Sequence, residues 1–229
     1  MTKFNNFKVL IPARSTSKRI KDKNIQELAD IPLLAWSIKT ARSIGFVPIV
    51  SSDSKTYLKI AYWYKRIQLR RPPSLSTDNS TDFDVIKHFL TYFPCKFIIY
   101  LRPTSPFRKK EVLLNAINSF IKIENKIDCL RSIEKTSESA LKWFLKEKNG
   151  ICRAINPLLS IADTNRPNQE LPQTYKPNGI IDIFKRSVIE SGSLCGSKVF
   201  GFVVDSTIEI DTPAELEYAR WYAQNLWIK

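Results

Sequence analysis

The sequence predicts an α/β fold: a mostly parallel sheet covered by helices on both faces. Three observations predict it. Short apolar runs alternate with amphipathic stretches of helical spacing through the first half of the chain. Polar, glycine-poor or proline-stiffened loops follow the apolar runs, where ligand loops sit in such sheets. The composition, 43% hydrophobic and 25% charged over 229 residues, is that of a globular chain and excludes disordered, collagenous and coiled-coil classes. We expect one domain over residues 1–229.

Phe7-Lys8-Val9-Leu10-Ile11 reads as a buried strand, and Pro12 opens a basic loop from Ala13 to Lys23. Leu33, Ala35, Trp36, Ile38 and Ala41 give Pro32 to Ile44 a helical stripe that Gly45 stops. Val47 to Ser51 is the next strand, Lys55 to Ile67 a helix, Asp82 to Phe93 another, Phe97 to Leu101 a strand and Lys109 to Ile123 a helix. From Glu134 to Tyr175 the alternation degrades. There Leu141–Leu145 and Ile151–Ile155 flank Lys146-Glu147-Lys148-Asn149-Gly150, whose Asn-Gly is a hairpin signal. Phe184 to Ser191 suits a short helix and Lys198 to Val204 a strand. Thr212-Pro213-Ala214-Glu215 forms a capping box with proline at the first helical position, opening a last helix striped by Leu216, Ala219, Ala223 and Leu226.

Charge and rare residues narrow the chemistry. The net charge is +14, and residues 1–71 hold 15 basic against 4 acidic side chains, which favours an anionic ligand. The same excess also reads as solvated helix faces. A recognition helix, an aromatic RNA-binding strand and a basic tail are all absent, so no nucleic-acid partner is expected. No apolar run is long enough to cross a bilayer and no secretory signal opens the chain, so a cytoplasmic, membrane-free protein is expected. A single histidine, His88, excludes poly-histidine zinc sites and earns no catalytic role on a helical stretch. Cys95, Cys129, Cys152 and Cys195 have no C-x-x-C spacing and are expected to be reduced core residues.

Four segments can carry chemistry. Residues 11–24 place Arg14, Lys18, Arg19, Lys21, Lys23 and three hydroxyls just past the first strand, suited to a triphosphate but without the glycines of a Walker A loop. Leu101-Arg102-Pro103-Thr104-Ser105-Pro106 follows the strand from Phe97, and reads equally as a turn starting the next helix. Residues 171–179, from Leu171-Pro172-Gln173 to Pro177-Asn178-Gly179, are a polar stretch that also reads as a connector. Glu209 and Asp211 alternate, so extended backbone would turn both toward one hard cation such as Mg²⁺. Taken alone, the segment favours the other reading, in which Asp211 serves the N-terminus of the last helix.

In order, these segments resemble the acylneuraminate (sialic acid) cytidylyltransferases, or CMP-sialic acid synthetases, over about residues 8–219. The resemblance rests on Ile11-Pro12-Ala13-Arg14 with Ser17-Lys18-Arg19-Ile20 and Lys23-Asn24-Ile25, Val50-Ser51-Ser52-Asp53, and Arg71-Pro72 with Leu75-Ser76-Thr77-Asp78. It continues through Pro103-Thr104-Ser105-Pro106, Leu171-Pro172-Gln173, Pro177-Asn178-Gly179 and Ile210-Asp211-Thr212. It implies a Rossmann-like domain with a protruding dimerisation segment, here the excursion at about 134–175, and hence a homodimer. The implied reaction moves CMP from CTP to the anomeric 2-hydroxyl of a nine-carbon 2-keto acid sugar, releases pyrophosphate and requires Mg²⁺.

By the same resemblance, Arg14, Ser17, Lys18 and Lys23 contact triphosphate, with Arg14 and Lys23 catalytic, and Asn24 reads cytosine. Asp53, Arg71 and Asp78 line the nucleotide side. Arg102, Thr104, Ser105, Gln173, Lys176, Asn178 and Asp182 fall on sugar-contacting positions, and Glu209 and Asp211 on metal ligands. Four positions depart from the family pattern: Arg102 replaces glutamine, Asp182 tyrosine, Lys176 arginine and Glu209 aspartate. The first two gain opposite charges, which implies either a mutual ion pair or a modified nonulosonate such as a legionaminic or pseudaminic acid. The alternatives are a 3-deoxy-octulosonate-type cytidylyltransferase and a noncatalytic nucleotide- or RNA-binding protein that keeps the fold.

Overall fold

The computed structural model describes residues 4–227. The central sheet is built in the order expected of alternating strands and helices. β1 (Phe7–Pro12) is followed by the short strands β2 (Glu27–Leu28) and β3 (Ile31–Pro32), which pair with each other outside the main sheet. Then come α1 (Leu33–Ser43), β4 (Ile49–Ser52), α2 (Lys55–Trp63), β5 (Ile67–Arg70), α3 (Asp82–Tyr92), β6 (Phe97–Tyr100) and α4 (Lys110–Ile123). β1 pairs in parallel with both β4 and β6, and β4 pairs in parallel with β5. The chain thus winds away from β1 in both directions, and the loops after β1 and β6 leave the same end of adjacent strands. That is the switch point where open α/β sheets bind ligands.

The second half continues with β7 (Cys129–Lys135), the hairpin strands β8 (Phe144–Lys146) and β9 (Cys152–Ala154), β10 (Tyr175–Lys185), α5 (Arg186–Glu190), β11 (Val199–Val203) and α6 (Pro213–Tyr222). The seven-stranded order is β11-β7-β10-β6-β1-β4-β5, with β10 antiparallel to β6. The mostly parallel α/β expectation therefore holds, with helices flanking the sheet. The chain divides into two compact units: residues 1–132, 179–202 and 207–229 form the first, and residues 133–178 and 203–206 the second.

Local chemistry sets the element boundaries. In α6, Thr212 Oγ1 accepts the Glu215 N–H at 3.3 Å and Glu215 Oε2 accepts the Thr212 N–H at 2.8 Å, closing the expected capping box. α3 is capped in the same way by Thr81 and Asp84. The Asn-Gly hairpin forms as expected, with Leu145 opposite Arg153 and Gly150 at φ 90°. One helix was drawn too long. α2 stops at Trp63 because Lys65 adopts φ 53°, and Ile67–Arg70 is an edge strand in which Leu69 alone is buried. β7 had no counterpart in the periodicity, since its buried positions include Ser132 and Glu134. The short helix after Phe184 is confined to Arg186–Glu190, with Phe184 and Lys185 ending β10. The cysteines are all free, but Cys152 lies exposed on the hairpin rather than in a core.

In the first unit, apolar side chains of β1, β4, β6 and α3 pack into one cluster with Leu10, Phe89, Tyr100 and Phe184. A second cluster joins Leu33, Trp36 and Phe107 to Leu216 and Ala219 of α6. Burial on this scale, at about 25 cal/mol per Å² of apolar surface, fixes the sheet that holds the loops.

Candidate active site

The loop after β1 has no glycine, yet it is tightly fastened. Ala13 N–H donates to Ser51 O at 2.9 Å. Ser15 donates twice to Asp53, from its N–H at 2.9 Å and its hydroxyl at 2.5 Å. Thr16 Oγ1 reaches Ser76 O at 2.6 Å, and buried Asn24 donates from Nδ2 to Arg14 O at 2.9 Å. Asp22 takes a left-handed turn at φ 51° and accepts the Tyr57 hydroxyl at 3.1 Å. Burial acts to raise the Asp53 carboxyl, but the hydrogen bonds from Ser15 outweigh it and hold the group below its ordinary value.

The cations of this loop meet carboxylates at two points. Arg14 donates to Thr77 O at 2.9 Å and lies 3.5 Å from Asp78, which Lys18 approaches to 2.6 Å. Lys18 in particular, then Arg14, hold the Asp78 carboxyl below its ordinary range. Lys23 Nζ lies 2.8 Å from Asp211 Oδ1 and donates to Ile210 O at 3.1 Å, while Arg19 reaches the other Asp211 oxygen at 3.3 Å. Ile210 N–H in turn donates to Thr104 O at 2.8 Å, tying the Asp211 segment to the loop after β6.

Arg14, Lys23, Asn24, Arg71, Asp78, Arg102 and Thr104 line one cleft of ≈ 320 Å³, together with Asp82 and Tyr100. Arg71 is 3% exposed, and burial lowers its basicity. Its Nε and NH2 find no hydrogen-bond partner among the described residues, nor does Thr104 Oγ1. Unpaired buried donors of a guanidinium are costly, so their place beside a cleft marks where a polar or anionic group would be bound. Ser17, Lys18, Asp53 and Ser105 are not in that lining. Ser17 is half-buried with its N–H on Ser15 O, and Ser105 is fully buried with its Oγ unpaired.

Behind the cleft runs an ionic chain. Arg102 reaches Asp82 at 2.6 Å and Asp182 at 2.5 Å, and Arg131 meets the second Asp182 oxygen at 3.3 Å. Tyr100 donates its hydroxyl to Asp82 at 2.6 Å and lies 4.9 Å under the Arg102 guanidinium. Burial opposes the charge on Arg102, but Asp182 and then Asp82 overcome it and raise its basicity. Arg108, fully buried, stitches the β6 loop to β10 by donating to Ile180 O at 2.5 Å, Gly179 O at 3.1 Å, Arg102 O at 2.5 Å and Ser105 O. Desolvation, then the charge of Arg102, pulls Arg108 down to about 9.

The second unit holds the remaining expected sugar contacts. Glu134, nearly buried, takes Lys176 Nζ at 3.0 Å, Asn178 Nδ2 at 3.4 Å and the Ser206 hydroxyl at 3.3 Å. Gln173 donates from Nε2 to Thr136 O at 3.0 Å and Thr174 O at 2.8 Å. Asp82, Arg108, Arg131 and Glu134 were not legible as site residues. Only the N-terminal position of Asp82 on a helix gave any signal, because each of the four has partners distant in sequence.

Glu209 and Asp211 flank the buried Ile210 and are both half-exposed. Their oxygens are hard donors of the type Mg²⁺ prefers. Among the described residues no group of three histidine, cysteine or carboxylate side chains could hold a metal unaided. Both Asp211 oxygens lie on cations, Lys23 and Arg19, so an ion held there would take most of its oxygens from phosphate or water.

A sequence profile of the family described as cytidylyltransferase matches residues 8–184. The chain belongs to that family. It is 30% identical over 220 residues to the N-acylneuraminate cytidylyltransferase of Escherichia coli O18:K1:H7 (strain RS218 / NMEC), covering 92% of this chain and 50% of that protein. The chain thus spans about half the length of that curated relative. It is also 30% identical over 230 residues to the CMP-N,N'-diacetyllegionaminic acid synthase of Legionella pneumophila, covering 90% of this chain and 91% of that one. A CMP:2-keto-3-deoxy-manno-octonic acid synthetase solved in complex with CTP shares the fold, with a TM-score of 0.73 at 16% identity over 97% of this chain and 100% of the other. No helix among the described residues is long and apolar enough to cross a membrane.

Proposed function

We propose that this protein transfers CMP from CTP to the anomeric 2-hydroxyl of a nine-carbon 2-keto acid sugar and releases pyrophosphate. The observation that carries the reading is the cleft lined by Arg14, Lys23, Asn24 and Arg71, whose Nε and NH2 lack a partner among the described residues. In this reading Arg14, Ser17 and Lys18 bind the triphosphate. Lys23, with Arg14, offsets the charge that develops on the α-phosphoryl oxygens as the sugar hydroxyl attacks, and such preorganised cations lower the barrier. Asn24, Asp53, Arg71 and Asp78 hold or frame the nucleotide. Arg102, Thr104, Ser105 and Asp182 serve the sugar side. Gln173, Lys176 and Asn178, in the second unit, keep the sugar-contacting role that the resemblance gives them.

Glu209 and Asp211 would hold Mg²⁺, which when bound neutralises phosphate charge and lowers the pKa of an attacking hydroxyl. Lys23 and Arg19 already lie on Asp211, so they keep its carboxylate oriented toward the loop. The Legionella relative's name supports a modified nonulosonate acceptor. A homodimer formed through the second unit is proposed as well. Trp143, Phe144, Ile151 and Leu158 are exposed there, Leu158 to 90%, and a second copy would cover them.

Pyrophosphate release measured with CTP and Mg²⁺ across a panel of nonulosonates and 3-deoxy-octulosonate tests the function. Release that depends on a nonulosonate is the expected result. Sugar-independent binding of CTP without release would overturn it in favour of a noncatalytic nucleotide binder.

A further inference from the structure

Two thiols that the proposed reaction does not use lie in neighbouring segments of the first unit. Cys129 opens β7 and Cys195 lies in the loop after α5. Both pack against the cluster that contains Leu10, Phe89 and Phe184. The residues beside them tie the two segments together. Asp128 N–H donates to Lys198 O at 2.8 Å, and Asp128 Oδ2 accepts the N–H groups of Ser197 and Lys198, both at 2.9 Å. Gly196 makes this approach possible. It sits at φ 65°, and a Cβ there would lie 2.5 Å from Asp128 Oδ2. Its own N–H is held by Ser193 Oγ at 2.9 Å. The loop carrying Cys195 is therefore bound to the residue preceding Cys129 by one backbone pair and by two of its own N–H groups on the Asp128 carboxylate.

We propose that Cys129 and Cys195 form an oxidisable dithiol, which hydroperoxides convert to an intramolecular disulfide. Cys195 is the attacking thiol. It is half-buried, whereas Cys129 is fully buried, so it is the sulfur that a hydroperoxide can reach. Cys129 is fully buried and out of direct reach of the peroxide, so it acts second. In the first step the Cys195 thiolate attacks the peroxide: an S–O bond forms, the O–O bond breaks, the sulfur is oxidised by two electrons and hydroxide leaves. In the second, the Cys129 sulfur displaces that oxygen: an S–S bond forms, the S–O bond breaks and the thiol proton leaves with the oxygen as water. The other half-buried thiol, Cys95, is pushed up to about 11 by burial and is expected to react slowly.

The test uses the full chain carrying Cys152→Ser, which removes the exposed thiol. After treatment with hydrogen peroxide and trypsin digestion without reductant, peptides 127–131 and 187–198 should appear joined, two hydrogens lighter than their sum. Dithiothreitol should separate them. In Cys129→Ser, dimedone should trap a sulfenic acid on Cys195. The proposal is overturned if both peptides stay separate while Cys195 advances to sulfinic acid, if both thiols remain alkylatable, or if the cross-link forms only in urea. The cross-link in the parent chain decides the matter even where Cys129→Ser fails to fold.

Discussion

Asp53 at the end of β4 grips Ser15 with both carboxylate oxygens, at 2.9 Å to the backbone N–H and 2.5 Å to the hydroxyl. A loop without glycine cannot reach its shape through left-handed freedom alone, and this side-chain clamp replaces it. Asp53→Asn keeps the size but loses the charge-assisted bonds. It should cost about 1 to 3 kcal/mol of stability and raise the KM for CTP more than it lowers kcat. The folded-state carboxyl sits below its ordinary value of 3.8, so the contribution is present above that value and is lost as pH falls through the lowered one. Thermal melts of both proteins should accordingly differ at neutral pH and converge in acid. A constant difference down to the acid limit would remove the clamp as the cause.

Arg102 and Asp182 form a mutual ion pair, one of the two outcomes that their joint departure from the family pattern implied. Asp182 is 1% exposed, so removing one partner strands a buried charge. Arg131 still reaches Asp182, which limits the damage, and Arg102→Gln should cost about 2 to 4 kcal/mol. Changing both residues, Arg102→Gln with Asp182→Tyr, should recover part of that loss. A denaturant double-mutant cycle measures the coupling. The same double variant should shift acceptor preference toward N-acetylneuraminate; unchanged relative rates across the sugar panel would separate the pair from specificity.

How much of this was legible depends on the range of the interaction. The capping box at Thr212 and Glu215 and the Asn149-Gly150 turn are written within a few residues, and both stand where the sequence put them. β5 was hidden because Lys65 breaks the helix with a positive φ that no residue pattern announces, and only Leu69 in the strand is buried. The site divides in the same way. Arg14, Lys23 and Asn24 could be placed from one basic loop, whereas Arg108 was invisible: its partners at residues 37, 102, 105, 179 and 180 come together only through the sheet.

Asp211 faces Lys23 and Arg19, and either a metal or these cations can satisfy its charge. Asp211→Asn should abolish Mg²⁺-dependent pyrophosphate release while the circular-dichroism melt stays cooperative, because the Thr212 and Glu215 cap survives. Lys23→Gln should lower kcat about 100-fold, the size of effect seen when one preorganised charge-stabilising group is removed. Undiminished release by Asp211→Asn across a Mg²⁺ titration would exclude the metal role.

Gly179 lies within β10, at φ 64°. A Cβ there would lie 3.3 Å from both Glu209 Oε1 and Ser105 Oγ, closer than those atoms accept without moving. Gly179→Ala therefore carries two penalties, a left-handed backbone of about 1 kcal/mol for an alanine and pressure on a proposed metal ligand. Stability should fall modestly, and the Mg²⁺ concentration for half-maximal release should rise by more than the loss of stability accounts for. Gly150→Ala is the control: φ is 90° there as well, but nothing lies within 4 Å of the added carbon. It should show the backbone cost with no change in the Mg²⁺ requirement, and equal metal dependence in the two variants would rule out crowding of Glu209 as the reason that glycine occupies position 179.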